Sequence, residues 1–119
     1  MGASTTAKSK NDALHGSLDL LVLKTLSAGP MHGWAITLHV EKISNNVLRV
    51  EEGSLYPALH RMEQKGWIAA KWGLSENNRR ARFYSLTGAG RKHLASEQLN
   101  WQEAINAIAL VLNFTPQKS

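Results

Sequence analysis

The side chains that could do chemistry in this chain are mostly basic, and they fall in two stretches. The first stretch, between Glu51 and Ile68, contains the polar or basic residues Ser54, Tyr56, His60, Arg61, Gln64 and Lys65. The second contains Lys71, Arg79, Arg80 and Arg82. Ammonium and guanidinium groups bind phosphate and carboxylate oxygens, so this chemistry is anion binding rather than bond making. A net charge of +5 also suits an anionic partner, although many soluble proteins are mildly basic.

The residue patterns of catalytic and metal sites are missing from the sequence. The five histidines lack a His-Glu-x-x-His type of spacing; they are His15, His32, His39, His60 and His93. The chain has no cysteine, which excludes disulfides and thiolate nucleophiles. Adjacent Glu51 and Glu52 would point in different directions on a helix, so they do not form an acid–base pair. We therefore predict no enzyme, no catalytic residue, no metal and no cofactor.

The first basic stretch reads as an amphipathic helix. Leu55, Leu59 and Met62 recur at steps of four and three, which predicts one buried face. The opposite face has Pro57, His60, Arg61 and Gln64, with Ser54 and Lys65 at its flank. Ser54 is the predicted N-cap, because Pro57 then lies near the helix start, and Gly66 ends the helix. The alternative for this stretch alone is an ordinary core helix.

Two further helices are predicted upstream. Residues 14–27 form the first helix, with Leu14, Leu18 and Leu21 on one face. Other leucines make this helix apolar around much of its circumference. The second runs from about His32 to Ser44, with His32 expected to cap or pack. Its expected buried residues are Trp34 or Ala35, Ile36, Leu38 and Ile43. Residues 47–50 are interpreted as a short strand.

The second basic stretch reads as a β-hairpin. Apolar residues alternate from Ile68 to Leu74, residues 75–80 are polar, and residues 81–86 return as a second strand. The hairpin tip concentrates Arg79, Arg80 and Arg82, which is unfavourable unless an anion neutralises the charge. The alternative is a solvated loop.

The last predicted helix, from about residue 88 to 113, is apolar on most sides. Leu94, Trp101, Ile105, Ile108 and Leu112 follow coiled-coil spacing, and Glu103 is the only charge between Leu99 and Val111. Such a surface would be a large exposed patch in a monomer, so we predict a homodimer. The expected dimer interface joins this helix of one subunit to the first helix of the other, with Leu14, Leu18 and Leu21.

These elements predict a mainly α fold with a small β-hairpin wing, that is, a winged helix-turn-helix followed by a C-terminal dimerisation helix. We divide the chain into a tail at 1–12, a winged helix-turn-helix domain at 13–87, a dimerisation helix at 88–114 and a tail at 115–119. No apolar run is long enough to cross a membrane, so no membrane partner is predicted and cytoplasm is the default location.

Several motifs in this order resemble one family. They are Leu14-His15-Gly16-Ser17-Leu18, His32-Gly33-Trp34-Ala35-Ile36, Gly53-Ser54-Leu55-Tyr56-Pro57-Ala58-Leu59, Arg61-Met62-Glu63 with Gly66, and Tyr84-Ser85-Leu86-Thr87 with Gly90. Over residues 14–94 the chain resembles PadR-type transcriptional regulators, and its single C-terminal helix is similar to their short subgroup. Two departures bear on phosphate contacts: Trp34 stands where the family usually has tyrosine, and Glu51-Glu52 replaces a more neutral helix start.

The resemblance implies a dimer that binds an inverted-repeat operator in double-stranded DNA, usually as a repressor, with the recognition helix starting near Glu51. The candidate DNA-binding residues of that helix are then Ser54, Tyr56, His60, Arg61, Gln64 and Lys65. Of these, Arg61 is expected to contact guanine, and His60 to face DNA. Tyr56, Lys71, Arg79, Arg80 and Arg82 are expected to contact phosphate or the minor groove.

Small aromatic effectors often act on dimers of this family, so Trp101 is a candidate effector-binding residue, although indoles at such positions are more often core. Two alternatives remain: a winged helix that binds protein, and a metal-responsive regulator that uses histidines from two subunits.

Overall fold

The computed structural model describes residues 17–117, so Leu14 and the predicted tail at 1–12 lie outside the described residues. Helix α1 covers residues 17–26 of this range. It is followed by β1 (Met31–His32), α2 (Gly33–Ile43), α3 (Glu52–Gln64), β2 (Ile68–Leu74), β3 (Arg80–Leu86) and α4 (Gly88–Leu112). The three strands form one antiparallel sheet in the order β1-β3-β2. The predicted fold class, helices with a small β wing, is confirmed.

The hairpin of β2 and β3 has the predicted position, with Ile68 opposite Leu86 and Leu74 opposite Arg80. The strand predicted at residues 47–50 is wrong. The backbone N–H of Leu48 donates to Ser44 Oγ at 3.0 Å, and that of Val50 donates to Glu41 Oε2 at 3.3 Å. Because side chains at the end of α2 satisfy these groups, the segment forms a loop and needs no strand neighbour.

The sheet instead gains a strand that the sequence did not predict. In β1, Met31 pairs with Tyr84 and His32 with Phe83. His32 then starts α2, because its Nδ1 accepts a hydrogen bond from the backbone N–H of Ala35 at 3.2 Å. The predicted capping role of His32 is confirmed.

The hydrophobic core lies between α1, α2, α3 and the sheet. The predicted inner face of α3 is buried, with Leu55, Leu59 and Met62 at most 1% exposed. In α2 the buried residues are Gly33, Ile36, Thr37 and Val40, which follow one helical stripe. The expectation of burial is correct for Ile36 but wrong for Leu38 and Ile43, which are 48% and 69% exposed. Of the two alternatives Trp34 and Ala35, Trp34 is 56% exposed and Ala35 is half-buried. Trp34 and Leu38 lie off the buried stripe, whereas Ile43 follows its spacing but is the last residue of α2.

Helix α3 begins earlier than its side chains suggested. Its N-cap is Glu51, which makes no side-chain capping hydrogen bond, so the N-cap prediction for Ser54 is wrong. The start near Glu51 that the family resemblance implied is correct. Pro57 is therefore inside the helix and leaves the carbonyl of Gly53 without its usual donor. Gly53 is exposed, so water can satisfy that carbonyl.

Helix α4 starts directly on the turn that ends α3. Thr87 caps α4 by accepting from the Gly90 N–H at 3.0 Å, and its hydroxyl also donates to the Gly66 carbonyl at 2.6 Å. The Thr87 N–H donates to the Trp67 carbonyl at 3.0 Å. The rings of Trp67 and His93 stack at a centroid distance of 3.7 Å. These contacts fix the first turns of α4 to the end of α3.

Beyond Leu94, α4 leaves the body of the domain. Gly90 and Leu94 are its buried residues, and the helix has 25 residues, a length of about 37 Å. The radius of gyration is 17.2 Å, against about 13.5 Å for a compact chain of this size. The projecting part exposes large apolar residues: Leu99, Ile105, Ile108, Leu110, Val111 and Leu112.

Candidate nucleic-acid interface

A groove of about 780 Å³ lies between the start of α2, helix α3 and the hairpin. The side chains that matter in it are aromatic or basic: Trp34, Tyr56, Trp72, Arg79, Arg80 and Arg82. The structure thus brings together four of the predicted binding residues, Tyr56 and the three arginines of the hairpin tip. Guanidinium groups beside a helix N-terminus create a positive region, which suits a chain of phosphates.

Tyr56 connects two of the sequence motifs. A Cβ on Gly33 would lie 2.7 Å from the Tyr56 hydroxyl oxygen, so only glycine lets the ring lie against the first turn of α2. Burial, followed by the charge of Glu52 and by Tyr84, raises the pKa of the Tyr56 phenol above its usual value. The hydroxyl therefore keeps its proton and can donate a hydrogen bond to an anionic oxygen.

The hairpin arginines differ in their surroundings. Arg80 lies over the Trp72 ring, with its Cζ 4.7 Å from the ring centroid, and Arg79 is exposed at the turn. Arg82 Nη2 forms an ion pair with Glu63 Oε2 at 3.0 Å. Among residues 17–117, Arg79 and Arg80 form no ion pair, so their charges are available to an external anion.

Helix α3 presents its polar face as predicted, with one change. Pro57, His60 and Gln64 are exposed along one side of the helix. Arg61, the residue expected to contact guanine, instead has its Nη2 2.5 Å from Asp19 Oδ1 in α1. The guanidinium is thus engaged within the chain. The sequence did not reveal this pair because the two residues are 42 positions apart.

Other predicted residues lie away from the groove. Ser54 is half-buried and lines a cleft of about 140 Å³ with Leu18 and Leu21, on the α1 side of α3. Lys65 lies at the end of α3, with Nζ 4.8 Å from the centroid of the Trp67 ring. Lys71 is exposed on β2.

Two tryptophans of the groove were missed as site residues. Either Trp34 or Ala35 was expected to be buried, and Trp72 was read only as part of an alternating strand, yet Trp34 and Trp72 are 56% and 55% exposed. A signal for Trp72 existed in the hairpin register, which places it directly opposite Arg82. A Trp–Arg pair across two strands is a usual cation–π arrangement. In the structure the guanidinium above Trp72 belongs to Arg80, two residues earlier.

The predicted dimer residues differ in how far they are exposed. Leu18 and Leu94 are 5% and 7% exposed and belong to the core of the single chain, so they offer little apolar area to a second subunit. Ile105, Ile108 and Leu112 are 52%, 57% and 77% exposed. Leu21 and Trp101 are intermediate.

The described residues contain no cluster of three or more His, Cys, Asp or Glu side chains that could bind a metal ion. Within the same part of the chain, none of the helices has the length and apolar character needed to span a membrane.

Comparison with known proteins assigns the chain and its fold to a family. Residues 22–96 match the model of the transcriptional regulator PadR-like family. A transcriptional regulator of Mycobacterium tuberculosis is 31% identical over 71% of this chain and 75% of its own length. A 37.1 kDa transposon protein of Streptomyces fradiae is 41% identical over 66% of this chain, which spans only 21% of that protein.

Solved structures agree with this assignment. A transcriptional regulator from Clostridium thermocellum has a TM-score of 0.74 at 26% identity, over 82% of this chain and 95% of that one. A PadR-like regulator from Bacillus cereus has the same fold, with a TM-score of 0.70 at 22% identity over 88% and 96% of the two chains. The chain belongs to the PadR-like family of transcriptional regulators.

Proposed function

We propose that this regulator is a cytoplasmic homodimer that binds an inverted-repeat operator in duplex DNA and represses transcription. The observation that supports this most strongly is the groove between α3 and the hairpin. It combines the unpaired guanidinium groups of Arg79 and Arg80 with the protonated phenol of Tyr56. These groups lie beside the exposed polar face of α3.

In this proposal α3 enters the major groove and the hairpin lies along the adjacent backbone or minor groove. Arg79, Arg80 and Lys71 neutralise phosphates, and Tyr56 donates a hydrogen bond to one of them. Lys65, at the end of α3, would contact the phosphate backbone on the far side. Glu51 and Glu52 are exposed at the start of α3 and would repel phosphate, so the backbone should pass nearer to the hairpin.

The projecting part of α4 supports the dimer. Ile105, Ile108 and Leu112 lie on one side of the helix at coiled-coil spacing and are more than half exposed. A second copy of the same helix would remove these side chains from water, and α1 of the partner could cover the remaining apolar surface. The proposed domain division assigns residues 13–87 to DNA binding and residues 88–114 to this contact.

Release by a small aromatic effector is part of the proposal. Trp101 is half-buried on the same side of α4, close to the proposed dimer axis. A ligand there would weaken DNA binding only if it bound one spacing of the two α3 helices more tightly than the other.

The test is direct binding to DNA. Duplexes selected from a random pool by the full chain, together with its own promoter, are measured by fluorescence anisotropy beside scrambled duplexes. We expect the selected sites to be inverted repeats bound at least about 10³-fold more tightly than scrambled DNA. Equal affinity for both duplexes would contradict the proposal and favour a winged helix that binds protein.

A further inference from the structure

We propose that Arg61 and Arg82 position α3, and that its base contacts come from His60 and Gln64. This inference rests on the proposed function, because it assigns roles within the same DNA-binding surface. It replaces the expectation that Arg61 contacts guanine, and it predicts which base Gln64, the last residue of α3, prefers.

The ion pair of Arg61 joins α3 to α1. Arg61 Nη2 lies 2.5 Å from Asp19 Oδ1, and the Asp19 side chain is only 20% exposed. A guanidinium that contacts a base must point away from the protein body, whereas this one is directed toward the neighbouring helix. Moving it to a base edge would leave a partly buried carboxylate without this partner, which is unfavourable.

The ion pair of Arg82 joins α3 to the hairpin. Arg82 Nη2 lies 3.0 Å from Glu63 Oε2, and the Glu63 side chain is 29% exposed. Arg61 and Glu63 are two positions apart in α3, so the two pairs leave the helix in different directions, toward α1 and toward β3. Together they fix the rotation of α3 about its own axis. Their charges are also neutralised within the chain, so neither arginine should attract phosphate strongly.

Two polar side chains of α3 point outward between these two pairs. His60 and Gln64 are four positions apart, exposed, and on the same side as Pro57. Among the described residues, neither of the two forms a side-chain hydrogen bond or ion pair. A glutamine amide matches adenine, since it can accept from N6 and donate to N7. The imidazole of His60 can donate to the N7 of either purine.

The first experiment measures base preference. The selected operator is changed at each base pair of the half-site in turn, and binding of wild type, Gln64→Ala, His60→Ala and Arg79→Ala is compared by fluorescence anisotropy. We expect Gln64→Ala to lose discrimination about 5- to 150-fold at one A·T pair and to keep it elsewhere. Arg79→Ala should weaken all duplexes alike. If Gln64→Ala and His60→Ala both keep the complete base preference, the inference is overturned.

The second experiment distinguishes a positioning arginine from a base-contacting one. Asp19→Asn and Arg61→Gln should both weaken binding to every duplex by about two- to fivefold, the range of an exposed ion pair. The slope of affinity against salt should stay as in wild type. If Arg61 contacted guanine, Arg61→Gln would lose preference at one G·C pair, whereas Asp19→Asn would free the guanidinium and leave affinity unchanged or higher. That pattern would overturn the proposed role.

The second ion pair provides an independent check, in case a change at Asp19 perturbs folding. Glu63→Gln and Arg82→Gln should give the same uniform, small loss, with melting curves and dimer mass measured beside them. A loss of base preference in either variant would contradict the positioning role. Failure of the proposed function itself looks different, because wild type would then not distinguish selected from scrambled DNA.

Discussion

Replacing both unpaired arginines of the hairpin tip should flatten the salt dependence of DNA binding. Arg79 is exposed at the turn, and Arg80 lies over the ring of Trp72, 4.7 Å from its centroid. Arg82 is excluded from the change because Glu63 already neutralises it. The double variant Arg79→Ala with Arg80→Ala therefore removes only charges that are free to displace counterions from DNA.

The magnitude follows from counterion release. Each phosphate contact contributes about 0.9 to the slope of log affinity against log salt concentration. Two contacts in each subunit give a loss of about 1.8 per subunit and about 3.6 for a dimer on its operator. Between about 50 and 200 mM salt, the advantage of wild type over the variant should then shrink roughly 150-fold. If only one of the two arginines contacts phosphate, the factor falls to about 12.

Fluorescence anisotropy over a salt series measures these slopes on operator and scrambled duplexes. Arg91→Ala with Lys92→Ala is the matched control, since it removes the same charge from exposed positions on α4, outside the groove. The control should keep the slope of wild type, and the hairpin variant should lose slope on both duplexes. An unchanged slope in the hairpin variant, or an equal loss in the control, would refute the assignment of phosphate contacts to the groove.

Three other changes test the dimer, the junction before α4 and the effector. Ile108→Asp would be present twice in a symmetric dimer and should weaken association by at least about 4 kcal/mol, or about 10³-fold in Kd. Analytical ultracentrifugation measures this loss, and the control Asn106→Asp should leave the dimer intact. Gly90→Ala places a Cβ 2.0 Å from a backbone carbonyl oxygen. It should lower the free energy of unfolding, measured by urea denaturation, by about 1–3 kcal/mol. In the control Gly88→Ala the new Cβ has no atom within 4 Å, so stability should be unchanged. A planar aromatic compound that weakens operator binding by wild type should no longer weaken it in Trp101→Leu. If the compound weakens binding by the variant equally, Trp101 is not part of the effector site.

The parts of the fold that sequence reasoning predicted are those with a local period. The buried face of α3 and the hairpin follow from spacing alone, because helix and strand periods are visible in short windows. The strand at 47–50 was predicted from its apolar residues, but side chains of Ser44 and Glu41 satisfy its backbone groups. Strand β1 has only two residues and exists because β3 offers an edge to it, which no local pattern encodes.

The residue types of the candidate site could be read from the sequence, but the partners of those residues could not. Helical periodicity correctly placed Arg61 outside the core, yet its pairing with Asp19 depends on how α1 and α3 pack. Hydrophobicity likewise predicted burial for Trp34 or Ala35, whereas the position of the core stripe on α2 leaves Trp34 on the groove. Long-range packing therefore decides which of the basic and aromatic residues are available to a ligand.

The junction between α3 and α4 would couple the proposed DNA-binding helix to the proposed dimer contact. Thr87 contacts the turn at Gly66 and Trp67, and His93 stacks on the Trp67 ring. These contacts hold the start of α4 directly against the end of α3. Because each α3 is fixed to its own α4, the distance between the two α3 helices in a dimer would be set by the angle at which the two α4 helices cross. An inverted repeat requires that distance to match one turn of DNA. A ligand that changed the crossing angle by preferring one arrangement could therefore release the operator without touching the DNA-binding surface.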